Sequence, residues 1–397
     1  MDNEQELRAS FLYLLVVIVS ITFSVRASNN MYMTEIPLIA KYVFGFKEFL
    51  VGSISAFAAT GTFIMSALIN SRLRAGRRRF VFIASSLVYA LVFPMFYLTN
   101  AVTIWPVVFV AGFSLGALMP NIITSAGLLP DRKQRERLLS LYTLTLSVSL
   151  VAGPALETYL LDLMPLLKTF LVFSVFPIAV FVLSFFLRFP EEKEKSNAPV
   201  SEVLRNHGFR AAVYNIMTYN IPFAFMLTFG GIYAVSRFGV HYATVTLMFS
   251  TFFFTSFLSR LLLSIRPPDD IWRLMILSVV ITSVGLIGII ESPNILVLEM
   301  FFLLLGFPHG FTYPLSVISI SRSSNISTRN AANSIFFSVM MAVGALMPLV
   351  SGVIVSYIGL RYSFATLIPV ILLLLLLLYR EMRSFKSAKE STKTIAS

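Results

Sequence analysis

The chain has 397 residues, of which 57% are hydrophobic and only 13% charged, with a formal net charge of +12. So apolar a composition excludes a water-soluble domain, and the absence of cysteine excludes disulfides, thiol catalysis and thiolate metal sites. The basic excess gathers in the loops on the side of both termini, the pattern that marks the cytoplasmic face of a membrane protein, so nucleic acid is not an expected partner.

Met1 to Glu6 is acidic and polar, the reverse of a basic signal-peptide start, and the apolar run after it is too long for a signal sequence, so it is expected to be retained. Twelve spans follow, near 10–40, 47–71, 80–98, 101–128, 138–161, 165–187, 210–236, 240–264, 272–290, 294–320, 331–357 and 361–379. Each approaches the ~20 residues a helix needs to cross the hydrocarbon core. Lipid satisfies no backbone hydrogen bonds, and the runs do not alternate as barrel strands would, so an all-α integral membrane protein is expected.

The first span carries Arg26 near its middle, where a charge costs at least about 2.5 kcal/mol and faces a bundle interior or a wet cavity. Thr22, Asn29 and Asn30 share its helical face. A guanidinium fork suits a carboxylate or phosphate, which points to an anionic solute; the alternative is a structural ion pair with Glu35 or Glu157. Glu35, Glu157 and Glu299 are membrane carboxylates able to carry a proton, and His309 in the tenth span is a further proton-coupling candidate. The seventh span groups Asn215, Tyr219 and Asn220 with Pro222, which is expected to break the helix and leave these side chains for a solute. Small residues at Gly52, Ser55, Ala59 and Gly61 favour tight helix packing.

Between the sixth and seventh spans the charged run Pro190-Glu191-Glu192-Lys193-Glu194-Lys195 reads as a solvated linker. The domains are therefore expected at 1–187 and 210–380, joined by a cytoplasmic linker at 188–209 and followed by a cytoplasmic tail at 381–397 without fixed structure. The halves repeat one another at an offset of 194 residues. Gly112-Phe113, Gly116 and Pro120 return as Gly306-Phe307, Gly310 and Pro314, and Pro154 returns as Pro348. Phe170 returns as Phe364, and Ala40, Phe44 and Gly45 return as Ala234, Phe238 and Gly239. A parallel duplication in an apolar chain is the mark of a transporter built from two halves.

The pattern resembles the major facilitator superfamily over essentially the whole chain: two pseudo-symmetric six-helix bundles with a cytoplasmic linker. The loop Ser71-Arg72-Leu73-Arg74-Ala75-Gly76-Arg77-Arg78-Arg79 is similar to the family's signature loop, whose glycine and basic residues match while its aspartate does not. The resemblance implies a gating role for Arg72, Arg74, Gly76, Arg77 and Arg78, and a cavity lined by the first, fourth, seventh and tenth helices. Gly153-Pro154 resembles the core of an exporter motif, and also reads simply as a kink.

The expected function is a secondary active transporter for a small anionic or polar organic solute, working by alternating access with the proton as candidate coupling ion. Arg26, Asn29, Asn30, Asn215, Tyr219 and Asn220 are the expected solute contacts. Efflux of hydrophobic or cationic compounds, and a non-transporting receptor or assembly factor on the same scaffold, are the alternatives. No nucleotide-binding loop and no zinc spacing is present, so no cofactor, no metal and no enzymatic activity is expected. The protein is expected to act as a monomer in the cell membrane, with the lipid bilayer and its solute as partners.

Overall fold

The computed structural model describes residues 2–70, 73, 75–126, 132–189, 200–265, 268, 270–324 and 326–396. These residues are helical almost throughout. The helices are α1 Asp2–Leu38, α2 Glu48–Phe63, α3 Ala75–Met95, α4 Ile104–Ala126, α5 Arg132–Leu163, α6 Leu166–Phe173 and α7 Val175–Ser184. They continue with α8 Val200–Arg205, α9 His207–Phe225, α10 Gly231–Phe238, α11 Tyr242–Ile265, α12 Ile271–Glu291, α13 Ile295–Ser323 and α14 Ile326–Ala396. Eleven helical stretches among the described residues are long and apolar enough to cross a membrane. The last, Ala331–Phe385, contains two expected spans, which meet at Gly359 in the left-handed region (φ +76°). The protein is thus an all-α, multi-pass membrane protein.

Side-chain chemistry sets the helix ends. Asn206, Asp270 and Asn294 accept hydrogen bonds from the backbone N–H groups of Phe209, Trp272 and Val297, capping α9, α12 and α13. Asp270 therefore closes a helix start, while Asp269 lies outside the described residues. Prolines inside the helices remove a ladder bond and crowd the preceding turn. Two of them precede π-helical turns: Pro37 before Ile39–Val43, and Pro222 before Met226–Gly230. Pro222 does not break its span, because the widened turn absorbs the strain and the helix resumes as α10. The chain also stays helical to Ala396, where a tail without fixed structure is expected; its Lys, Glu and Ala residues are good helix formers.

The chain divides into two compact units, Met1–Lys193 with Val240–Ser250, and Glu194–Gly239 with Thr251–Ser397. In the first, α1 packs on α5, α7 and α4, while α2 and α3 pack on α4. Its core is aromatic: Phe170 lies with its ring centre 4.6 Å from Phe96 and 5.1 Å from Phe93. In the second, α9 packs on α14 and α13, and α12 packs on both of these. There Phe364, the repeat partner of Phe170, lies 4.7 Å from Phe225.

The duplication is visible in backbone packing. A Cβ on Gly112 would strike the carbonyl of Ala58, and one on Gly116 the carbonyl of Thr62. The repeat partners Gly306 and Gly310 meet the carbonyls of Phe252 and Ser256, at the same offset from Ala58 and Thr62. The α2–α4 crossing in one unit is therefore rebuilt as the α11–α13 crossing in the other. Gly45 and Gly239 likewise both take the left-handed conformation (φ +67° and +64°) after their helical segments.

Candidate functional site

Helix α1 carries a row of polar atoms that nothing among the described residues satisfies. Thr22 Oγ1, Arg26 Nε and Asn30 Nδ2 are buried, and none has a hydrogen-bond partner. Spaced four residues apart, they lie along one face of the helix. Among the described residues no ion pair joins Arg26 to Glu35, Glu157 or any other carboxylate. Buried polar groups are almost always paired, so three unpartnered atoms in one row, one of them on a cationic side chain, single out this face of α1. Asn29, beside this row, is half-buried. The row ends at Thr34, whose hydroxyl faces Glu157 Oε1 at 3.3 Å.

The structure brings Glu35 and Glu157 together. Both are fully buried, and they lie close enough to act on one another. The Thr169 hydroxyl lies 2.9 Å from Glu35 Oε2. A carboxylate only accepts, so a hydrogen bond between two carboxyls requires a proton on one of them. Glu299 stands apart, half-buried in the first turns of α13.

In the second unit the expected contacts are spent on helix packing. Asn215 donates to the Thr312 carbonyl at 3.0 Å and to Ser316 Oγ at 2.8 Å. The Tyr219 hydroxyl donates to the Leu305 carbonyl at 2.9 Å, and Asn220 donates to the Met340 carbonyl at 3.2 Å. Asn215 Oδ1 keeps no partner, and Asn220 is only half-buried. His309 sits among the rings of Phe223, Phe252, Tyr219 and Phe253, with centre distances of 4.5 to 5.6 Å, and its Nδ1 meets Ser256 Oγ at 2.7 Å. Arg260 on α11 acts electrostatically on both His309 and Tyr219. Arg260 is not among the expected site residues; its signal is the one-turn spacing from Ser256, which puts both on one face of α11.

Of the loop residues given a gating role, Gly76 and Arg77 are exposed and Arg78 is half-buried, while Arg72 and Arg74 lie outside the described residues. A cavity of about 580 Å³ opens at one end of the first unit, lined in part by Val43, Tyr97, Asp162, Lys168 and His241. No candidate site residue lines it, and its His241–Asp162 contact is a long, exposed 3.8 Å. Among the described residues no group of three or more His, Asp or Glu could hold a metal ion.

Residues 18–268 and 237–396 match the family model of the Major Facilitator Superfamily. The chain belongs to this superfamily. Membership makes it a membrane transporter and not an enzyme. A comparison with curated proteins gives no significant match. Among solved structures, the chain is similar to a bacterial homologue of the human lysosomal transporter Spinster, inward-facing and occupied, with 13% identity, a TM-score of 0.74 and coverage of 96% of this chain and 97% of that one. A variant of the nucleoside transporter NupG aligns at 12% identity and TM-score 0.71, covering 94% and 100%. A POT family transporter in complex with a thioalcohol-conjugated peptide aligns at 10% and 0.77, covering 93% and 96%. At such identities the likeness is one of fold.

Proposed function

We propose that this superfamily member carries a small anionic or polar organic solute by alternating access, with Arg26 supplying the charge that binds it and Asn30, Asn29 and Thr22 orienting it. One observation carries the reading: the buried Arg26 Nε and its two neighbours in the row, Thr22 Oγ1 and Asn30 Nδ2, lack any partner among the described residues. A charge kept at mid-span, at a cost of about 2.5 kcal/mol or more, is retained for something that binds it. The same row weighs against cationic cargo, since among the described residues no carboxylate pairs with Arg26. The solutes of the structural neighbours, among them a nucleoside, a conjugated peptide and 5-aminolevulinic acid, are polar organic molecules of this size range. The two buried carboxyls of Glu35 and Glu157, side by side with Thr34 and Thr169 as their hydroxyl neighbours, support coupling to a proton gradient. The charge asymmetry of the loops supports termini on the cytoplasmic side.

Uptake into proteoliposomes under an imposed pH gradient tests this with a panel of labelled carboxylates, phosphates, nucleosides and short peptides. At least one anionic or polar member is expected to accumulate with the wild type, weakly with Arg26→Lys, and not with Arg26→Ala. An Arg26→Ala protein that moves the same solute at the wild-type rate overturns the assignment.

A further inference from the structure

The two buried carboxyls lie beside a hinge. Glu35 is two residues before Pro37 and four before the π-helical turn Ile39–Val43, which ends at Phe44 and the left-handed Gly45. Its partner Glu157 is on α5, and Thr169, which donates to Glu35, is on α6. Glu35 lies nine residues along α1 from Arg26, about half a turn round the helix axis, whereas its partner Glu157 meets the end of the orphaned row at Thr34.

The geometry points to Glu35 and Glu157 acting together as one proton-binding site that clamps the end of α1 against α5 and α6, and releases that end at the Pro37 hinge when its proton leaves. In the release step a carboxyl O–H bond breaks, the proton passes to water as hydronium, and two facing carboxylates remain. Like charges in a dry site repel strongly, and the available donors are few. Thr34 has a single hydroxyl hydrogen, and the Asn30 carbonyl at 3.0 Å competes for it with Glu157. Thr169 is divided in the same way between Glu35 and the Leu166 carbonyl.

Among the described residues no ion pair joins a cation to either carboxyl. The titratable or charged groups on the elements around the pair include Arg26, Tyr32, Lys41 and Tyr42 on the α1 segment, Tyr159 and Asp162 on α5, Lys168 on α6 and Tyr89 on α3. The charged residues at the starts of α1 and α5 lie at the opposite ends of those helices. Tyr32 donates to the Val108 carbonyl, Tyr89 donates to Ser28 Oγ, and Lys41 is paired with Glu48 at 2.6 Å. Asp162 and Lys168 are exposed. Deprotonation is therefore relieved by separating the helices rather than by recruiting a neighbour. The place of this step in a transport cycle rests on the proton-coupled reading above; the proton site itself does not.

The chain has no cysteine, so one introduced thiol reports alone. Ala40, fully buried in the π-helical turn, becomes the probe as Ala40→Cys, and Val102→Cys, 77% exposed in the turn before α4, is the reference that cancels the pH dependence of thiol reactivity. In purified protein the maleimide labelling rate of the probe, divided by that of the reference, is expected to rise about tenfold as pH is raised, as when an open form populated at ~10% becomes dominant. In a Glu35→Gln, Glu157→Gln background the ratio is expected to stay low and flat, and the infrared carbonyl stretch of a protonated carboxyl present in the wild type is expected to vanish. If the double variant does not fold, either single variant must lose the response. A flat ratio in the wild type, a rise that persists in the glutamine variants, or an unchanged carboxyl band overturns the proposal. Arg26→Ala is expected to keep the full pH response, so failure of the solute site and failure of the proton clamp read out separately.

Discussion

Gly153 of α5 lies against Ala27 of α1, so close that a Cβ on Gly153 would sit 3.3 Å from the Ala27 Cα. This contact seats α5 beside both the Arg26 row and the carboxyl pair, and it gives the Gly153-Pro154 pair a packing role, since α5 runs unbroken through Pro154. Gly153→Ala is expected to be tolerated with a slight adjustment. Gly153→Leu is expected to cost about 1–3 kcal/mol, as overpacking does. Thermal melting of the purified variants checks this, and a leucine variant melting like wild type contradicts it.

Gly112 and Gly306 predict a matched pair of effects. Each meets a backbone carbonyl, which has no flexible end to swing aside, so alanine at either site forces the helices apart. Both Gly112→Ala and Gly306→Ala are expected to lower the melting temperature. Gly344→Ala, where a Cβ meets nothing within 4 Å, is expected to leave it unchanged or raised. A pair in which only one member is sensitive contradicts equivalent crossings.

Much of this was readable from residue spacing. The duplication shows because Gly112, Gly116, Gly306 and Gly310 hold helix crossings that tolerate no side chain. The row Thr22, Arg26, Asn30 shows because helical periodicity alone puts those residues on one face. What periodicity cannot supply is the partner across a helix interface. The polar seventh span looks like a solute-binding surface until the Thr312 and Leu305 carbonyls, far along the chain, are seen to take the donors of Asn215 and Tyr219. Glu35 and Glu157 read as separate carboxylates for the same reason. Arg260, inside the eighth span, is missed in the same way, because only packing brings it into the field of His309.

Tyr219 separates packing from binding. Its hydroxyl serves the Leu305 carbonyl, so Tyr219→Phe is expected to cost about 1 kcal/mol of stability and to leave solute affinity unchanged. Melting curves together with equilibrium binding of a transported solute check this. A variant with wild-type stability and weakened binding returns Tyr219 to the solute site.

The most direct test of Arg26 as an anion site needs no knowledge of the solute: the melting temperature of Arg26→Met in the absence of ligand. The buried Arg26 Nε gives up its hydration and gains no bond among the described residues, so the methionine variant is expected to melt at or above the wild type while losing transport. A loss of about 3–5 kcal/mol, the signature of breaking a buried ion pair, would show that Arg26 is held by the protein itself and contradict its role in binding the solute.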